Sequence, residues 1–348
     1  MKNIKELNEI AKQMVAPGKG ILAADESTDT IGKRFSAINL ENTEENRRAY
    51  RELLFTTPDI GKYISGVIMY DETIHQKTEG KNSFVSVLQN EGVLPGIKVD
   101  HGTIPDPNSP DEKITKGLEG LSERLKEYAS IGAKFAKWRT VITINKNYSQ
   151  TDGLPTEENL KITARDLAQY AKYCQEAGIV PIVEPEVLMD GSHKIEKCEE
   201  VTEKTLNYLF EELNKVKVQI EGIILKPNMI VPGKNSGQKT SPEEVAKATI
   251  SLFKKVLPEN LPGIVFLSGG QSEVEATENL NAMNQIKDLP WRLSFSYGRA
   301  LQESTLKTWA GKKENVPEAQ KVFLHRSKMN SLATLGKYSL TLEEEGIA

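Results

Sequence analysis

The sequence predicts one α/β domain built as a TIM (β/α)8 barrel, with an extra N-terminal helix and an irregular C-terminal tail. Eight short apolar runs with flanking glycines alternate along the 348 residues with longer segments whose apolar residues recur at helical spacing. Strands that alternate with helices pair in parallel, and eight such units favour a closed barrel over an open sheet. The main alternative, a Rossmann-type sheet, would carry a GxGxxG loop after the first strand, and residues 20–25 supply no such loop.

The elements follow in order along the chain. The first twenty residues predict a helix that packs outside the barrel, followed by a turn at residues 16–20. The predicted strands are residues 20–25, 63–70, 96–100, 135–142, 179–186, 222–228, 263–270 and 293–299. Between them, Ser241 and Ser272 each precede a glutamate by three residues, which is the pattern of a capped helix start. From about Met329 the apolar period is lost, and an acidic run predicts a flexible, solvated tail at about residues 336–348 of a single domain spanning residues 1–348.

Composition restricts the possible partners. Lys and Arg number 45 against 49 Asp and Glu, so no overall basic bias points to nucleic acid or to an acidic membrane. No apolar run approaches membrane-spanning length and the N-terminus has no apolar signal core, so we expect a cytoplasmic protein. Cys174 and Cys198 form no CxxC pair, and the four histidines have neither HxH nor HExxH spacing. We therefore expect buried thiols, no metal and no cofactor.

A lone lysine, Lys226, interrupts an apolar run that is typical of a strand buried on both faces. Burial disfavours the charged form of an amine, and a neutral amine is a nucleophile that forms an imine with a carbonyl substrate. Taken alone, a lysine at the end of a strand that extends its amine into solvent is the simpler interpretation. The other strand ends favour the reactive interpretation.

Charged residues end most of the other predicted strands. Because side chains alternate along a strand, Lys137 and Arg139 share one face, as do Glu184 and Glu186. If that face is the barrel interior, seven charged residues converge there, namely Asp25, Lys98, Lys137, Arg139, Glu184, Glu186 and Lys226. Any one of these residues alone could be an exposed charge at the end of a strand. Four cations in a barrel interior do not contribute to a structural core, however, so the set as a whole predicts a reactive site.

Two glycine-containing loops predict phosphate binding. They follow the seventh and eighth strands, which is the recurrent phosphate position of this fold, and the second leads into a helix. Their candidate contacts are Ser268, Gly269, Gly270, Ser296, Gly298 and Arg299. A further polar cluster follows the first strand, and it is equally typical of a helix N-terminus with a basic solvent face. Its members are Ser27, Thr30, Lys33, Arg34 and Arg47.

Several segments together resemble class I fructose-bisphosphate aldolase over roughly residues 5–338. They include Gly20-Ile-Leu-Ala-Ala-Asp-Glu-Ser-Thr28, Phe135-Ala-Lys-Trp-Arg139, Ile179-Val-Pro-Ile-Val-Glu-Pro-Glu186, Leu225-Lys-Pro-Asn-Met229, Phe266-Leu-Ser-Gly-Gly-Gln-Ser272 and Phe295-Ser-Tyr-Gly-Arg-Ala-Leu301. The resemblance implies reversible, metal-independent cleavage of fructose 1,6-bisphosphate in glycolysis and gluconeogenesis, by a homotetramer.

The resemblance also implies residue roles. Lys226 would form the Schiff base, Glu184 would act as the acid and base of imine chemistry, Lys137 would assist at the carbinolamine, and Asp25 would take the C4 hydroxyl proton. The loops after strands seven and eight would bind the 1-phosphate. The 6-phosphate would contact Ser27, Thr30, Arg34 and Lys98, with Arg47 more weakly implied, and Arg139 and Glu186 would bind the sugar.

Two alternatives remain at this stage. A transaldolase-like transferase would also use a barrel lysine but would need only one phosphate site. A catalytically silent scaffold that binds a phosphorylated metabolite would retain the fold without turnover. The complete set of nucleophile, acid and base argues against the scaffold.

Overall fold

The computed structural model describes residues 4–144 and 153–344, and eight of its strands form a closed parallel barrel. In chain order the strands are β1 Gly20–Ala24, β2 Ile64–Met69, β3 Leu94–Lys98, β4 Thr103–Asp106, β5 Ser109–Thr115, β6 Phe135–Ile142, β7 Val180–Val187, β8 Ile224–Leu225, β9 Gly263–Phe266 and β10 Arg292–Tyr297. The ring runs β1-β10-β9-β8-β7-β6-β3-β2 and closes because β1 pairs with both β10 and β2. The predicted TIM barrel and its eight strands are confirmed.

Helices surround the barrel. They are α1 Ile4–Met14, α2 Thr28–Ser36, α3 Glu44–Phe55, α4 Asp71–His75, α5 Phe84–Asn90, α6 Leu121–Ile131, α7 Glu157–Ala177, α8 Ile195–Lys215, α9 Pro242–Val256, α10 Glu273–Gln285, α11 Arg299–Trp309, α12 Val316–Thr334 and α13 Leu340–Glu344. Both predicted capping boxes are present, at Ser241 with Glu244 and at Ser272 with Glu275. These caps satisfy backbone N–H groups that a helix start otherwise leaves unpaired.

The N-terminal helix lies across the N-terminal end of the barrel. Leu7, Ala11 and Met14 of α1 are buried in a cluster with inward-facing strand residues. Those strand residues are Ile21, Ala23, Ile68, Phe135, Val180, Ile182, Ile224 and Val265. The helix therefore lies outside the ring of strands, as predicted, and closes one end of it with an apolar plug that excludes water from below.

Phe135 fills the centre of this plug. A Cβ added to Gly96 would lie 2.3 Å from its ring, and one added to Gly66 would lie 2.8 Å away. Two glycines on the neighbouring strands β2 and β3 thus leave the space that the aromatic ring occupies. Close packing of this kind makes the lower half of the barrel solid rather than porous.

One element was not predicted, the antiparallel hairpin of β4 and β5 that follows β3. Its sequence is rich in proline and polar residues, so it shows no alternation of apolar residues. The hairpin continues toward the barrel, where the His101 amide donates to the Lys116 carbonyl and the Lys116 amide donates to Gly102. It thereby fixes the backbone just beyond the end of β3.

The described part of the C-terminal tail is more regular than predicted, although Lys337, Ser339, Leu340 and Thr341 are exposed to solvent. Helix α12 continues to Thr334, Tyr338 is buried, and α13 follows it. Glu343, in the acidic run, forms an ion pair with Arg326, lies 3.3 Å from His325 Nε2 and accepts a hydrogen bond from the Tyr338 hydroxyl. Polar contacts rather than an apolar stripe anchor this segment, and apolar periodicity cannot reveal such contacts. Residues 345–348 lie outside the described residues.

Candidate active site

A cleft of about 1370 Å³ opens at the C-terminal ends of the barrel strands. Its lining includes sixteen of the seventeen predicted site residues. They are Asp25, Ser27, Thr30, Arg34, Lys98, Lys137, Arg139, Glu184, Glu186, Lys226, Ser268, Gly269, Gly270, Ser296, Gly298 and Arg299. Active sites of this fold lie at this end of the barrel, so the cleft is the candidate active site.

Alternation along each strand brings these charges above the apolar plug. On β6 the inward side chains run from Phe135 in the plug to Lys137 and Arg139 in the cleft. On β7 they run from Ile182 to Glu184 in the same way. Because every second side chain of a strand points inward, one strand contributes both to the apolar plug and to the charged layer above it.

The central side chains form a continuous chain of opposite charges. Lys226 Nζ lies 3.2 Å from Glu184 Oε1, and the other oxygen of Glu184 lies 3.5 Å from Lys137 Nζ. Lys137 Nζ in turn lies 2.7 Å from Asp25 Oδ2. Lys226 is only 4% exposed and Glu184 only 3%. Lys226 and Glu184 are therefore in direct contact and largely shielded from solvent, and Lys137 links this pair to Asp25.

Asp100 extends this chain of charges, and the sequence analysis gave it no role. Its carboxylate lies 2.7 Å from Lys98 Nζ and 4.0 Å from Lys137 Nζ. The signal was present in the sequence, because Asp100 follows Lys98 by two residues at a strand end. Asp100 therefore connects Lys98 to the chain of charges through Lys137.

The neighbouring charges set the ionisation of this chain. Burial acts to raise the pKa of Asp25, but the ammonium groups of Lys137, Lys226 and Lys98 outweigh burial and hold that pKa below its usual range. Burial would lower the pKa of Lys137, yet Asp25, Glu184 and Asp100 raise it above its usual value. Asp25 is therefore a carboxylate and Lys137 an ammonium ion at neutral pH.

The loops after β9 and β10 have the features of an anion site. Gly269 and Gly270 both have positive φ, at 49° and 88°, a region that favours glycine. Gly298 is the N-cap of α11, and no side chain caps this helix start. Ser296 is 1% exposed, lines the cleft, and has a hydroxyl without a hydrogen-bond partner among the described residues. Free amides at a helix start and an unsatisfied buried hydroxyl suit an anionic group.

The cluster after β1 lies beside the second of these loops. Arg34 pairs with Glu26, and a Cβ added to Gly298 would lie 3.6 Å from Arg34 Nη2 and 3.8 Å from Glu26 Oε1. The Ser27 hydroxyl accepts a hydrogen bond from the Thr30 amide at 3.4 Å, so it also acts as the N-cap of α2. Arg34 thus adjoins the loop that was assigned to the other phosphate.

Arg47 is the exception among the predicted site residues. It does not line the cleft, and its guanidinium binds both carboxylate oxygens of Glu72, at 2.8 and 2.6 Å. The side chain projects from α3 toward α4 rather than toward the barrel axis. The structure therefore does not bring Arg47 into the candidate site.

Glu26 was also missed as a component of the site. It is 8% exposed and receives Arg34 and Arg51, which belong to different helices, as well as the Gln302 amide at 3.2 Å. Burial acts to raise the pKa of Glu26, but the two guanidinium groups lower it overall. Glu26 follows Asp25 beyond the end of β1 and also lines the cleft, and no spacing in the sequence indicates its partners.

None of the helices in ranges 4–144 and 153–344 combines the length and the apolar character needed to cross a membrane. Within the same ranges, no group of three or more His, Cys, Asp and Glu side chains is arranged to hold a metal ion.

Comparison with known proteins finds relatives along nearly the whole chain. A family model described as fructose-bisphosphate aldolase class-I matches residues 6–347. Fructose-bisphosphate aldolase 4, cytosolic, of Arabidopsis thaliana is 56% identical over 334 residues, covering 96% of this chain and 84% of that protein. Fructose-bisphosphate aldolase of Dictyostelium discoideum is 52% identical over 335 residues, covering 96% and 93%.

A solved structure gives the same result for the fold. The Plasmodium falciparum fructose-bisphosphate aldolase, crystallised as a ternary complex with TRAP and a small-molecule inhibitor, matches with a TM-score of 0.94 and 52% sequence identity. The match covers 97% of this chain and 96% of that one.

Proposed function

The chain belongs to the class I fructose-bisphosphate aldolase family, and from this premise we propose that Lys226 is its Schiff-base nucleophile, served by Glu184, Lys137 and Asp25. The protein is a lyase of glycolysis that reversibly cleaves fructose 1,6-bisphosphate to dihydroxyacetone phosphate and glyceraldehyde 3-phosphate. The observation that carries the residue assignment is the buried contact of Lys226 Nζ with Glu184, 3.2 Å away.

Imine formation begins with transfer of a proton from Lys226. Glu184 is the carboxylate in contact with this amine, so it accepts that proton and leaves a neutral nucleophile. The amine attacks the C2 carbonyl, and the resulting carbinolamine loses water after Glu184 returns the proton to the departing hydroxyl. Lys137 is charged and lies 3.5 Å from Glu184. It stabilises the negative charge on the Glu184 carboxylate and on the C2 oxygen of the substrate during these steps.

Cleavage then uses Asp25. The iminium at C2 is an electron sink, so the C3–C4 bonding electrons move toward it when a base removes the C4 hydroxyl proton. Asp25 is ionised because of its cationic neighbours, and the substrate hydroxyl displaces one contact with Lys137 to reach it. Glyceraldehyde 3-phosphate leaves, the enamine is protonated at C3, and hydrolysis of the imine releases dihydroxyacetone phosphate and free Lys226.

Two anion sites orient the sugar across this centre. The 1-phosphate lies at the α11 N-terminus, contacted by Ser268, Gly269, Gly270, Ser296, Gly298 and Arg299. Arg139 and Glu186 bind sugar hydroxyls, and Lys98 with Ser27 and Thr30 faces the 6-phosphate. Because Arg34 adjoins Gly298, it serves the 1-phosphate as well as the 6-phosphate. Remote phosphate contacts of this kind place the carbonyl against the amine and lower the entropic cost of the reaction.

Borohydride trapping tests the assignment of Lys226. Reduction of the enzyme mixed with dihydroxyacetone phosphate should give a secondary amine, and peptide mass mapping should locate it on the peptide containing Lys226. A Lys226→Arg variant should give no adduct and no turnover, whereas a Lys239→Arg variant, changed outside the cleft lining, should behave as the wild type. Activity should persist in a chelator, because no step uses a metal ion. An adduct on another lysine, or full trapping in Lys226→Arg, would refute the assignment.

We also propose that the protein is a homotetramer in the cytoplasm. The family membership supports the assembly, and the cytosolic Arabidopsis relative supports the location. Light scattering coupled to gel filtration should give a mass about four times that of the chain. A monomeric mass at micromolar concentration would contradict the first proposal, and an organellar signal from a tagged chain would contradict the second.

A further inference from the structure

An arm of the cleft extends past Lys98, beyond the residues assigned to catalysis. Its walls are the loop after β3, the short helix α4 and the inner face of α6, and they include Asp71, His75, His101, Arg124 and Tyr128. None of these five side chains belongs to the chain of charges around Lys226. The arm continues the end of the cleft assigned to the distal phosphate of the sugar.

His101 is held in this arm by backbone contacts. Its amide donates to the Lys116 carbonyl at 2.8 Å, at the base of the β4–β5 hairpin. Arg124 donates to the carbonyls of Val99 and Gly117, on either side of the same backbone. The backbone position of His101 is therefore set by the hairpin and by α6, and its exposed imidazole lines the cleft.

Arg124 brings a positive charge to the arm. Among the described residues no carboxylate lies within ion-pair distance of its guanidinium, which donates to the carbonyls of Val99 and Gly117 and lies close to the Tyr128 hydroxyl. Glu127, on the same helix, also lines the cleft. Asp71, the carboxylate contributed by α4, accepts a hydrogen bond from the Tyr128 hydroxyl at 2.6 Å and lies 3.6 Å from His75 Nε2. Lys98 is the other cation here, paired with Asp100.

We propose that His101 determines specificity for the doubly phosphorylated sugar, because in its protonated form it joins Lys98 and Arg124 around the distal phosphate. A phosphate dianion between three cations gains charge-assisted hydrogen bonds that a sugar phosphorylated only at C1 cannot make. The inference rests on the proposed function, which places the distal phosphate at Lys98.

The charges around the His101 imidazole agree with this role. Burial lowers the pKa of His101, and the Arg124 and Lys98 charges lower it further, against the opposing effects of Asp100 and Asp71. The field at the imidazole is therefore positive despite these two carboxylates. A bound phosphate reverses the sign of that field, so the bisphosphate should bind together with a proton, and its affinity should fall as His101 loses its proton with rising pH.

Calorimetry with two unreactive ligands tests the proposal. Hexitol 1,6-bisphosphate and hexitol 1-phosphate lack the carbonyl and cannot be cleaved, and the ratio of their dissociation constants isolates the distal phosphate. For the wild type, the preference for the bisphosphate should decline by about three- to tenfold more between roughly pH 6 and pH 8 than it does for His101→Gln. The distal phosphate titrates in both proteins, so its own ionisation cancels from this comparison.

Two further variants complete the design. His101→Lys carries a permanent charge and should keep the low-pH preference across the whole range. His325→Gln, changed outside the cleft lining, should match the wild type. Parallel pH profiles for the wild type and His101→Gln would overturn the inference even if borohydride still labels Lys226. Loss of the label from Lys226 would instead overturn the catalytic assignment.

Discussion

Replacing Lys137 with methionine tests the electrostatic account of the site. This ammonium group is 2.7 Å from Asp25, 3.5 Å from Glu184 and 4.0 Å from Asp100, and its side chain is only 5% exposed. Methionine fills a similar volume without the charge, so three carboxylates lose a shared cation while packing is largely kept. Removing one partner from a buried ion pair typically costs about 3–5 kcal/mol in the free energy of unfolding.

The pH dependence follows from the two shifted groups. Asp25 has a folded pKa below its unfolded value of 3.8, so its stabilising effect is present above that value and is lost as pH falls through the folded pKa. Lys137 has a folded pKa above 10.5, so its effect is fully present below 10.5 and is lost as pH rises through the folded pKa. At neutral pH both contribute. The Met variant should therefore lose stability across the whole neutral range.

Catalysis should change in a defined direction as well. Without Lys137, burial of Asp25 is opposed by fewer cations, so the pKa of Asp25 rises and the acid limb of kcat/KM should move to higher pH. Loss of the proton transfer that Lys137 assists should lower kcat by about 10²- to 10⁴-fold. A coupled assay of fructose 1,6-bisphosphate cleavage gives the profile, and urea unfolding gives the stability.

Lys137→Arg is the matched control, because it retains the charge and alters only its geometry. It should lower kcat while leaving the acid limb near its wild-type position. If Lys137→Met keeps both the wild-type acid limb and a free energy of unfolding within about 1 kcal/mol of the wild type, the charge of Lys137 does not control Asp25 and our reasoning is wrong.

Three other predictions concern the fold and its edges. Gly96→Ala should destabilise the protein by about 1–3 kcal/mol in urea unfolding, since its Cβ would lie 2.3 Å from the Phe135 ring, whereas Gly80→Ala in an exposed loop should be close to neutral; equal effects would contradict the packing argument. Arg47→Gln should leave the KM for fructose 1,6-bisphosphate within about twofold and cost about 1–3 kcal/mol of stability, because it breaks a partly buried bidentate pair with Glu72, and a large rise in KM would return Arg47 to the site. Glu343→Gln should weaken the attachment of α13 by about 1–3 kcal/mol through loss of charge opposite Arg326, measured as faster proteolysis of the C-terminal segment at unchanged kcat; an unchanged cleavage rate would show that the pair does not hold the segment.

The sequence was sufficient for the barrel because the relevant signals are local. A strand such as β6 is recognisable from its own apolar residues, and the period of two that identifies it also places Lys137 and Arg139 on the face of Phe135. Once eight such strands close, their C-terminal ends must meet. The convergence of charges at the cleft therefore needed no information about contacts between distant parts of the chain.

The features that were missed depend on contacts between distant segments. Glu26 is held by arginines 8 and 25 residues away along the chain, and Glu343 by Arg326 from another helix. Such partners are chosen by three-dimensional packing, so spacing in the sequence does not indicate them. Arg47 shows the opposite error, a residue that was predicted for the site but lies outside it. It is close in sequence to the predicted phosphate cluster, yet its guanidinium binds Glu72, 25 residues further along the chain.

The contacts of the two buried lysines also bear on the proposal that Lys226, and not Lys137, is the nucleophile. Lys137 and Lys226 have the same side chain and almost the same burial, yet among the described residues Lys137 has three carboxylates within 4.0 Å and Lys226 has one. That single partner, Glu184, directs its second oxygen to Lys137 and so divides its charge between two cations. Burial disfavours both ammonium ions equally, but pairing offsets burial far more fully at Lys137. Carboxylate pairing is therefore weaker at Lys226 than at Lys137, which supports the proposed role of Lys226 as the nucleophile.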